Sequence, residues 1–278
     1  MKMGIDISTY QNGLNLKDAL KDGIEFVIIR GGFTGSDKTF AMDNKFIDFY
    51  NQAKENNIPV GVYYYSRATN FEEGKNEAEF LYEKCLKNRN FEYPIYIDVE
   101  DRVFQEKASK EDIDSAIKGF CSFIESKGGY VGVYCNLDWA DNHMNYKELS
   151  KTYDFWLADW NRNRPNIDKY DYGMWQFGGS INLIRSDKID NKICDQDYAY
   201  KDYPSIMKDS NLNNFISNVD NESNSKNNDS FKETIKKELV NDTETEIENE
   251  INENKGTIFK YILNLFKKII AFFFVKLK

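Results

Sequence analysis

Short apolar runs alternate with longer amphipathic stretches along the chain up to about residue 204. The runs are rich in β-branched and aromatic residues, the composition of strands. They fall at residues 3–7, 26–30, 60–65, 95–99, 130–134, 155–158 and 173–177, with a weaker eighth near 193–198. Between them the spacing predicts helices over 17–22, 44–56, 72–87 and 110–127. In the last of these, Ile113, Ile117, Phe120 and Ile124 recur at helical intervals and form one apolar face. Continuous apolar strands joined by amphipathic helices build a mainly parallel sheet. About eight of them imply an α/β fold, a (β/α) barrel of the TIM-like type. The helical segments thin out after Lys127, so the barrel is expected to be irregular in its second half.

The pattern changes beyond residue 204. Residues 210–230 are dominated by Asn, Ser and Asp, which cannot build a core, and read as a disordered linker. Over 231–251 apolar residues return at Phe231, Ile235, Leu239, Ile247 and Ile251 among many glutamates. A weak amphipathic helix and a solvated acidic spacer both fit that stretch. Residues 258–278 carry no acidic side chain, and on a helix Lys260, Asn264, Lys267 and Lys268 form a cationic stripe opposite a broad apolar face. The uninterrupted run Ile269 to Val275 is too short for the roughly 30 Å of a hydrocarbon core. A helix lying on an anionic membrane surface fits better than a span; a span with snorkelling lysines and a helix docked on the barrel or self-associating are the alternatives. The expected division is a barrel over 1–204, a polar acidic linker over 205–255 and a cationic amphipathic helix over 256–278.

Composition narrows the chemistry. The net charge of −9 over 278 residues argues against a nucleic-acid partner. Aromatic residues make up 15% of the chain, high for an ordinary soluble domain; most must be core, but aromatic faces are also the usual platforms for sugar rings. Cys85, Cys121, Cys135 and Cys194 lie far apart without a Cys-x-x-Cys pair, so neither a metal site nor a disulfide framework is expected, and no cofactor. The single histidine, His143, sits in a polar segment, which disfavours Ser-His-Asp or Cys-His catalysis. The start, Met1-Lys2-Met3-Gly4-Ile5-Asp6, lacks a charged segment followed by an apolar one, so no secretory signal is expected. Synthesis in the cytoplasm follows, with release to any extracellular substrate by another route.

Candidate chemistry centres on Tyr93-Pro94-Ile95-Tyr96-Ile97-Asp98-Val99-Glu100-Asp101, where an apolar strand runs into two carboxylates one residue apart. Strand side chains alternate, so Asp98 and Glu100 project to one side with Cβ atoms roughly 6.5–7 Å apart. Two unit charges about 5.5 Å apart at an effective dielectric near 20 repel by roughly 3 kcal/mol, about two pKa units. One of the pair is then expected to hold a proton near neutral pH, the arrangement that glycosidic-bond cleavage requires. Taken alone, the pair reads equally as a strand cap and a solvated loop acid. Asp6 and Asp195 also fall at strand ends expected at the same barrel rim, where active sites of such barrels lie. Tyr63 and Tyr65 alternate on the third strand, Tyr134 ends the fifth, Trp160 follows the sixth, and Trp175 with Gln176 ends the seventh. As a set around four acids these side chains read as a sugar-binding cleft.

Six segments resemble a known family in their order along the chain. They are Gly4-Ile5-Asp6-Ile7-Ser8-Thr9-Tyr10-Gln11, Phe26-Val27-Ile28-Ile29-Arg30, Gly61-Val62-Tyr63-Tyr64-Tyr65, Ile97-Asp98-Val99-Glu100, Trp156-Leu157-Ala158-Asp159-Trp160 and Trp175-Gln176-Phe177. Together they resemble glycoside hydrolase family 25, the N-acetylmuramidases or Chalaropsis-type lysozymes of bacteria and phages, over about residues 1–204. The resemblance implies hydrolysis of the β-1,4 bond between N-acetylmuramic acid and N-acetylglucosamine in bacterial peptidoglycan, on a modified barrel. It places the acid/base on Glu100, the companion aspartate on Asp98, a further aspartate on Asp6 and another on Asp195. Asp98 then acts as nucleophile or stabilises a substrate-assisted intermediate. Around Asp195 the match loosens, since Cys194 and Asp197 replace the usual residues, and Tyr64 stands where relatives often carry histidine, a change expected to touch subsite contacts.

Three other readings compete. A chitinase-like or endo-N-acetylglucosaminidase barrel also ends its fourth strand in Asp-x-Glu, but carries further acids where this chain has Pro94 and Tyr96. A metal-dependent phosphoesterase would use the four acids as oxygen ligands, and a non-catalytic wall-binding protein would leave them idle. The missing leader and cationic tail together suggest an endolysin-like enzyme that reaches the wall through a membrane lesion, with the tail attracted to anionic lipid.

Overall fold

The computed structural model describes residues 1–160, 164–178 and 194–216. The expected acidic spacer and cationic tail lie outside the described residues. Among the described residues nine strands form one sheet: β1 (Lys2–Ile7), β2 (Phe26–Thr34), β3 (Phe40–Met42), β4 (Val60–Tyr65), β5 (Ile95–Asp98), β6 (Val131–Asn136), β7 (Asp154–Ala158), β8 (Met174–Gly178) and β9 (Asp195–Ala199). Eight close into a barrel in the order β1-β9-β8-β7-β6-β5-β4-β2, with β1 pairing β2 to shut the ring and β3 outside it on β2. Within the ring, neighbours are parallel except at β9, which runs antiparallel to both β1 and β8; β3 is antiparallel to β2. The β-α pattern therefore yields the expected TIM-like barrel, with one reversed strand.

Two differences concern the second strand. It runs on to Thr34, past Gly31 and Gly32, and turns back through Lys38, whose φ of 64° is left-handed. The short β3 that results is only three residues, Phe-Ala-Met, too brief for periodicity to reveal.

The helices are α1 (Leu16–Lys21), α2 (Phe46–Glu55), α3 (Phe71–Leu81), α4 (Lys110–Ser126), α5 (Leu137–Asn142), α6 (Tyr146–Leu149) and α7 (Tyr203–Ser210). Helix α4 starts at Ser109, whose side chain accepts from the Asp112 N–H while Asp112 reaches back to the Ser109 backbone, a reciprocal cap. Its face of Ile113, Ile117, Phe120 and Ile124 is wholly buried against the barrel. Helices α3 and α4 cross on glycine. A Cβ on Gly74 would stand 2.0 Å from the Ala116 carbonyl oxygen and one on Gly119 2.0 Å from that of Phe71. The helix expected to reach 87 ends instead in a single π turn, Tyr82–Leu86. After α4 the crossovers shorten to α5 and α6, the irregularity expected for the second half.

Helix α7 extends the packed unit to Ile216, beyond the boundary expected at 204. Pro204 reads as a breaker but occupies the first turn of α7, where a missing N–H costs nothing. From this helix Tyr203 enters the bottom of the barrel, donating to Asp154 Oδ2 over 2.8 Å. Above it Phe26, Ile28, Tyr96, Tyr134, Trp156 and Met174 fill the interior, so the lower barrel is a packed core. A second, larger core lies between the barrel and its helices.

Candidate active site

Polar side chains take over the barrel interior at the rim where the parallel strands end. Asp6 comes from β1 and Asp98 from the last position of β5, with Glu100 just beyond it. Asp195 was expected at a strand's C-terminal end; it opens β9 instead, and reaches the same rim because β9 runs the other way. Register pairs Asp6 with Asp195 across β1 and β9, and Asp98 with Tyr65 and Tyr134 on either side. Paired residues share a face, so the four acids and the two tyrosines converge.

Two cavities open at this rim. The larger, about 780 Å³, is lined by Asp6, Asp98, Glu100 and Asp195 together with Tyr63, Tyr65 and Arg30. The smaller, about 460 Å³, is lined by Glu100 and Asp195 again, with Tyr134, Asn136 and Trp160. Glu100 and Asp195 thus stand where the two meet. An extended ligand lying through both would pass Glu100 at its middle.

Burial governs the ionisation of the acids. It pushes Glu100 up to about 7, with the Asp195 charge adding and a hydrogen bond from Asn136 opposing. Asp98 is pushed up by burial and by the Glu100 charge, while Arg30 draws it down. One Asp98 oxygen, Oδ1, is buried with no hydrogen-bond partner among the described residues. Burial alone raises Asp195 to about 6. Asp6 is raised by burial, then by the charges of Asp197 and Asp195. A proton on Glu100 near neutral pH is therefore a product of desolvation first, with the Asp195 charge adding to it. The repulsion expected within the Asp98–Glu100 pair acts on Asp98, whereas the charge that raises Glu100 is that of Asp195.

Surrounding networks hold these groups. Asn136 caps α5 by accepting from the Trp139 N–H over 3.1 Å, and its side chain also bonds Glu100. Arg30 is fixed by Asp43, with Nε 2.8 Å from Oδ2, both side chains being largely buried. Asp101, next to Glu100, accepts from Phe104 N at 2.7 Å, Arg67 Nε at 2.8 Å and Tyr65 Oη at 3.1 Å. Arg67 N in turn donates to the buried Glu77 at 2.9 Å, so α3 anchors the loop that carries Glu100.

Among the expected aromatic residues, Tyr63 and Tyr65 line the larger cavity and Tyr134 and Trp160 the smaller. Trp175 is a correction: it lines neither cavity and packs against Phe177 and Tyr198 in the outer core, because alternation on β8 turns Gln176 inward and Trp175 outward. Gln176, expected to contact substrate, is 2% exposed and spends its polar atoms on Tyr134, Trp160 and Asp6. Tyr64, expected to touch subsites, faces the outer core and meets Thr34 Oγ1 at 3.0 Å. Asn136, Arg30 and Asp197 were not among the expected site residues. Asn136 had a signal, an Asn between a strand and a helix; the other two needed the register.

A family model described as "Glycosyl hydrolases family 25" matches residues 5–184. An autolytic lysozyme of Clostridium acetobutylicum is 29% identical over 184 residues, which is 65% of this chain and 52% of the relative. The chain thus spans about half the length of the curated relative it matches. A bacterial lysozyme of Streptomyces coelicolor superposes with a TM-score of 0.62 at 18% identity, over 78% of this chain and 98% of that one. The modular autolysin of Streptococcus pneumoniae, solved with a synthetic peptidoglycan ligand, superposes with a TM-score of 0.58 at 23% identity, over 70% of this chain and 46% of that one.

Proposed function

The chain belongs to glycosyl hydrolase family 25, and on that premise we propose that it is a lysozyme, an N-acetylmuramidase that hydrolyses bacterial peptidoglycan. The observation that carries the reading is the position of Glu100. It stands between two cavities, holds its proton up to about 7 and neighbours a buried carboxylate, Asp98, one oxygen of which has no partner among the described residues. A glycan strand threaded through both cavities presents a glycosidic oxygen to the Glu100 carboxyl. Glu100 protonates that oxygen as the bond to the anomeric carbon breaks, and the leaving sugar departs as an alcohol. The buried charge of Asp98 meets the positive charge that develops at or beside the anomeric carbon. Ionised Glu100 then takes a proton from the incoming water, which restores the starting state. Tyr63, Tyr65, Tyr134 and Trp160 supply the apolar and hydroxyl surfaces for the sugar rings.

The relative named an autolytic lysozyme and the autolysin solved with a peptidoglycan ligand support this substrate. Digestion of purified peptidoglycan by the full chain should release new reducing N-acetylmuramic acid ends, and Glu100→Gln should lower the rate by at least about a thousandfold while wall binding persists. New reducing N-acetylglucosamine ends would favour the endo-N-acetylglucosaminidase reading instead. From composition, residues 258–278 contact an anionic membrane surface and bring the enzyme to the envelope, an endolysin-like deployment.

A further inference from the structure

The barrel interior beside Asp6 holds an acid that the proposed mechanism leaves unused. Asp197 lies on β9 two residues after Asp195, opposite Gly4 of β1 and Gln176 of β8, and is completely buried. Its Oδ1 accepts from the Trp156 indole N–H at 2.9 Å. Its Oδ2 is also buried and meets no donor among the described residues. Register pairs Gly4 with Asp197 and Asp6 with Asp195, so Asp6 lies diagonally beside Asp197 on the same face, and it acts on Asp197 as a hydrogen-bonding neighbour that draws it down. Asp6 has one oxygen, Oδ2, tied to Gln176 Nε2 at 2.8 Å.

Two carboxylates cannot hydrogen-bond without a proton between them, and a buried carboxylate oxygen facing a second negative charge has no stable arrangement otherwise. The titratable groups that face Asp197 are Asp6 on β1, Asp195 on its own strand, Tyr96 on β5 and the Cys194 thiol before β9. Of the cations that line the larger cavity, Arg30 acts on Asp98 and Tyr63 and is paired with Asp43, and Arg67 is paired with Asp101. Compensation must then come from a proton.

Resting on the lysozyme reading for its consequence though not for its chemistry, we propose that Asp197 is a positioning residue that shares one proton with Asp6. The bridge and the Gln176 amide hold the Asp6 carboxyl from two sides. It also limits the pair to one negative charge beneath Asp98 and Glu100. Burial, then the Asp195 charge, push Asp197 toward the protonated state, while the hydrogen bonds from Trp156 and Asp6 draw it back. An asparagine offers the same shape, with an oxygen for Trp156 and an N–H₂ for Asp6, and never loses its donor.

The test uses the full chain labelled at aspartate carboxyl carbons and followed by carbon NMR from about pH 4 to pH 9. One aspartate carboxyl should stay protonated at about pH 7 in the wild type and disappear from the spectrum of Asp197→Asn. Lysis by Asp197→Asn should exceed that by Asp197→Ala roughly tenfold, because only the former keeps both hydrogen bonds. Thermal melts establish that each variant is folded. An unchanged neutral-pH carboxyl signal in Asp197→Asn overturns the proposal, and so does equal lysis by the Asn and Ala variants. The NMR result stands even if the chain fails to cleave peptidoglycan, so failure of the lysozyme reading is seen separately.

Discussion

Gln176 on β8 donates from Nε2 to Asp6 Oδ2 on β1 over 2.8 Å, although β9 lies between those strands in the barrel. The reach is set by the other end of the same amide. Its Oε1 accepts from Tyr134 Oη at 2.9 Å and from Trp160 Nε1 at 3.0 Å, so the side chain is held in one rotamer and the assignment of N and O is fixed by its partners. One buried amide thereby ties an acid of the larger cavity to two aromatics of the smaller. Replacing it by Gln176→Leu removes three hydrogen bonds and strands three polar groups. The variant should lose roughly 2–4 kcal/mol in urea unfolding, and its lytic rate should fall with little change in overall secondary structure by circular dichroism.

Activity should fall on the alkaline side as pH rises through about 7, since Glu100 must carry the proton it donates and burial sets it at about 7. The Asp195 charge helps to hold that proton, so Asp195→Asn should move the alkaline limb to lower pH. A pH–rate profile on purified walls measures both. An alkaline limb that stays in place in Asp195→Asn would mean that burial alone sets Glu100.

Stability should depend on pH through the same groups. Glu100 and Asp195 have folded values raised from 4.5 and 3.8 to about 7 and about 6. Their protonated forms are favoured in the folded chain, so the stability they contribute is fully present below the unfolded values and is lost as pH rises through the folded ones. The barrel should melt at higher temperature near pH 5 than near pH 8. At pH 8 Glu100→Gln should be more stable than the wild type by on the order of 1–3 kcal/mol, discounted for the partial exposure of Glu100. This gain accompanies the loss of lysis, a trade common where an active site keeps acids in a dry pocket.

The crossing of α3 on α4 depends on two glycines, and Gly74→Ala should separate the helices. Its new Cβ would meet a backbone oxygen at 2.0 Å, an atom that cannot turn aside. We expect a loss of roughly 2–4 kcal/mol. Because α3 also carries Glu77, which holds Arg67 N, the lytic rate should fall with it. Unfolding and turbidity assays on the same variant check the two effects.

The full chain should sediment with vesicles rich in anionic lipid and release from them as salt is raised, whereas a chain ending at residue 216 should not bind. Equal sedimentation of both would remove the membrane role assigned to residues 258–278.

Much of this fold is legible along the chain because strand and helix periods are local. Ile113, Ile117, Phe120 and Ile124 declare a buried helical face through nothing more than their spacing. Alternation at Asp98 and Glu100 likewise puts two acids on one side before any tertiary contact is known. Helix α7 was missed because Pro204 reads as a stop, and Trp175 was misplaced because a strand pattern of Trp-Gln does not say which of the two faces inward. Asp195 arrived at the right rim for a different reason, the reversal of β9.

The sequence by itself determined the order of elements, the acid pair after β5 and, through six local segments, the family. Periodicity and motif are properties of residues that are neighbours in the chain. Only the tertiary structure decided that Asp6 and Asp197, from opposite ends of the barrel's sequence, face each other, and that Gln176 braces the one while Trp156 braces the other. It also decided the protonation of Glu100, for a carboxyl's affinity for its proton follows from how much water the assembled barrel removes and which charges it brings near. Register between distant strands and desolvation by distant side chains are set by closure of the ring, and no local stretch of the chain carries them.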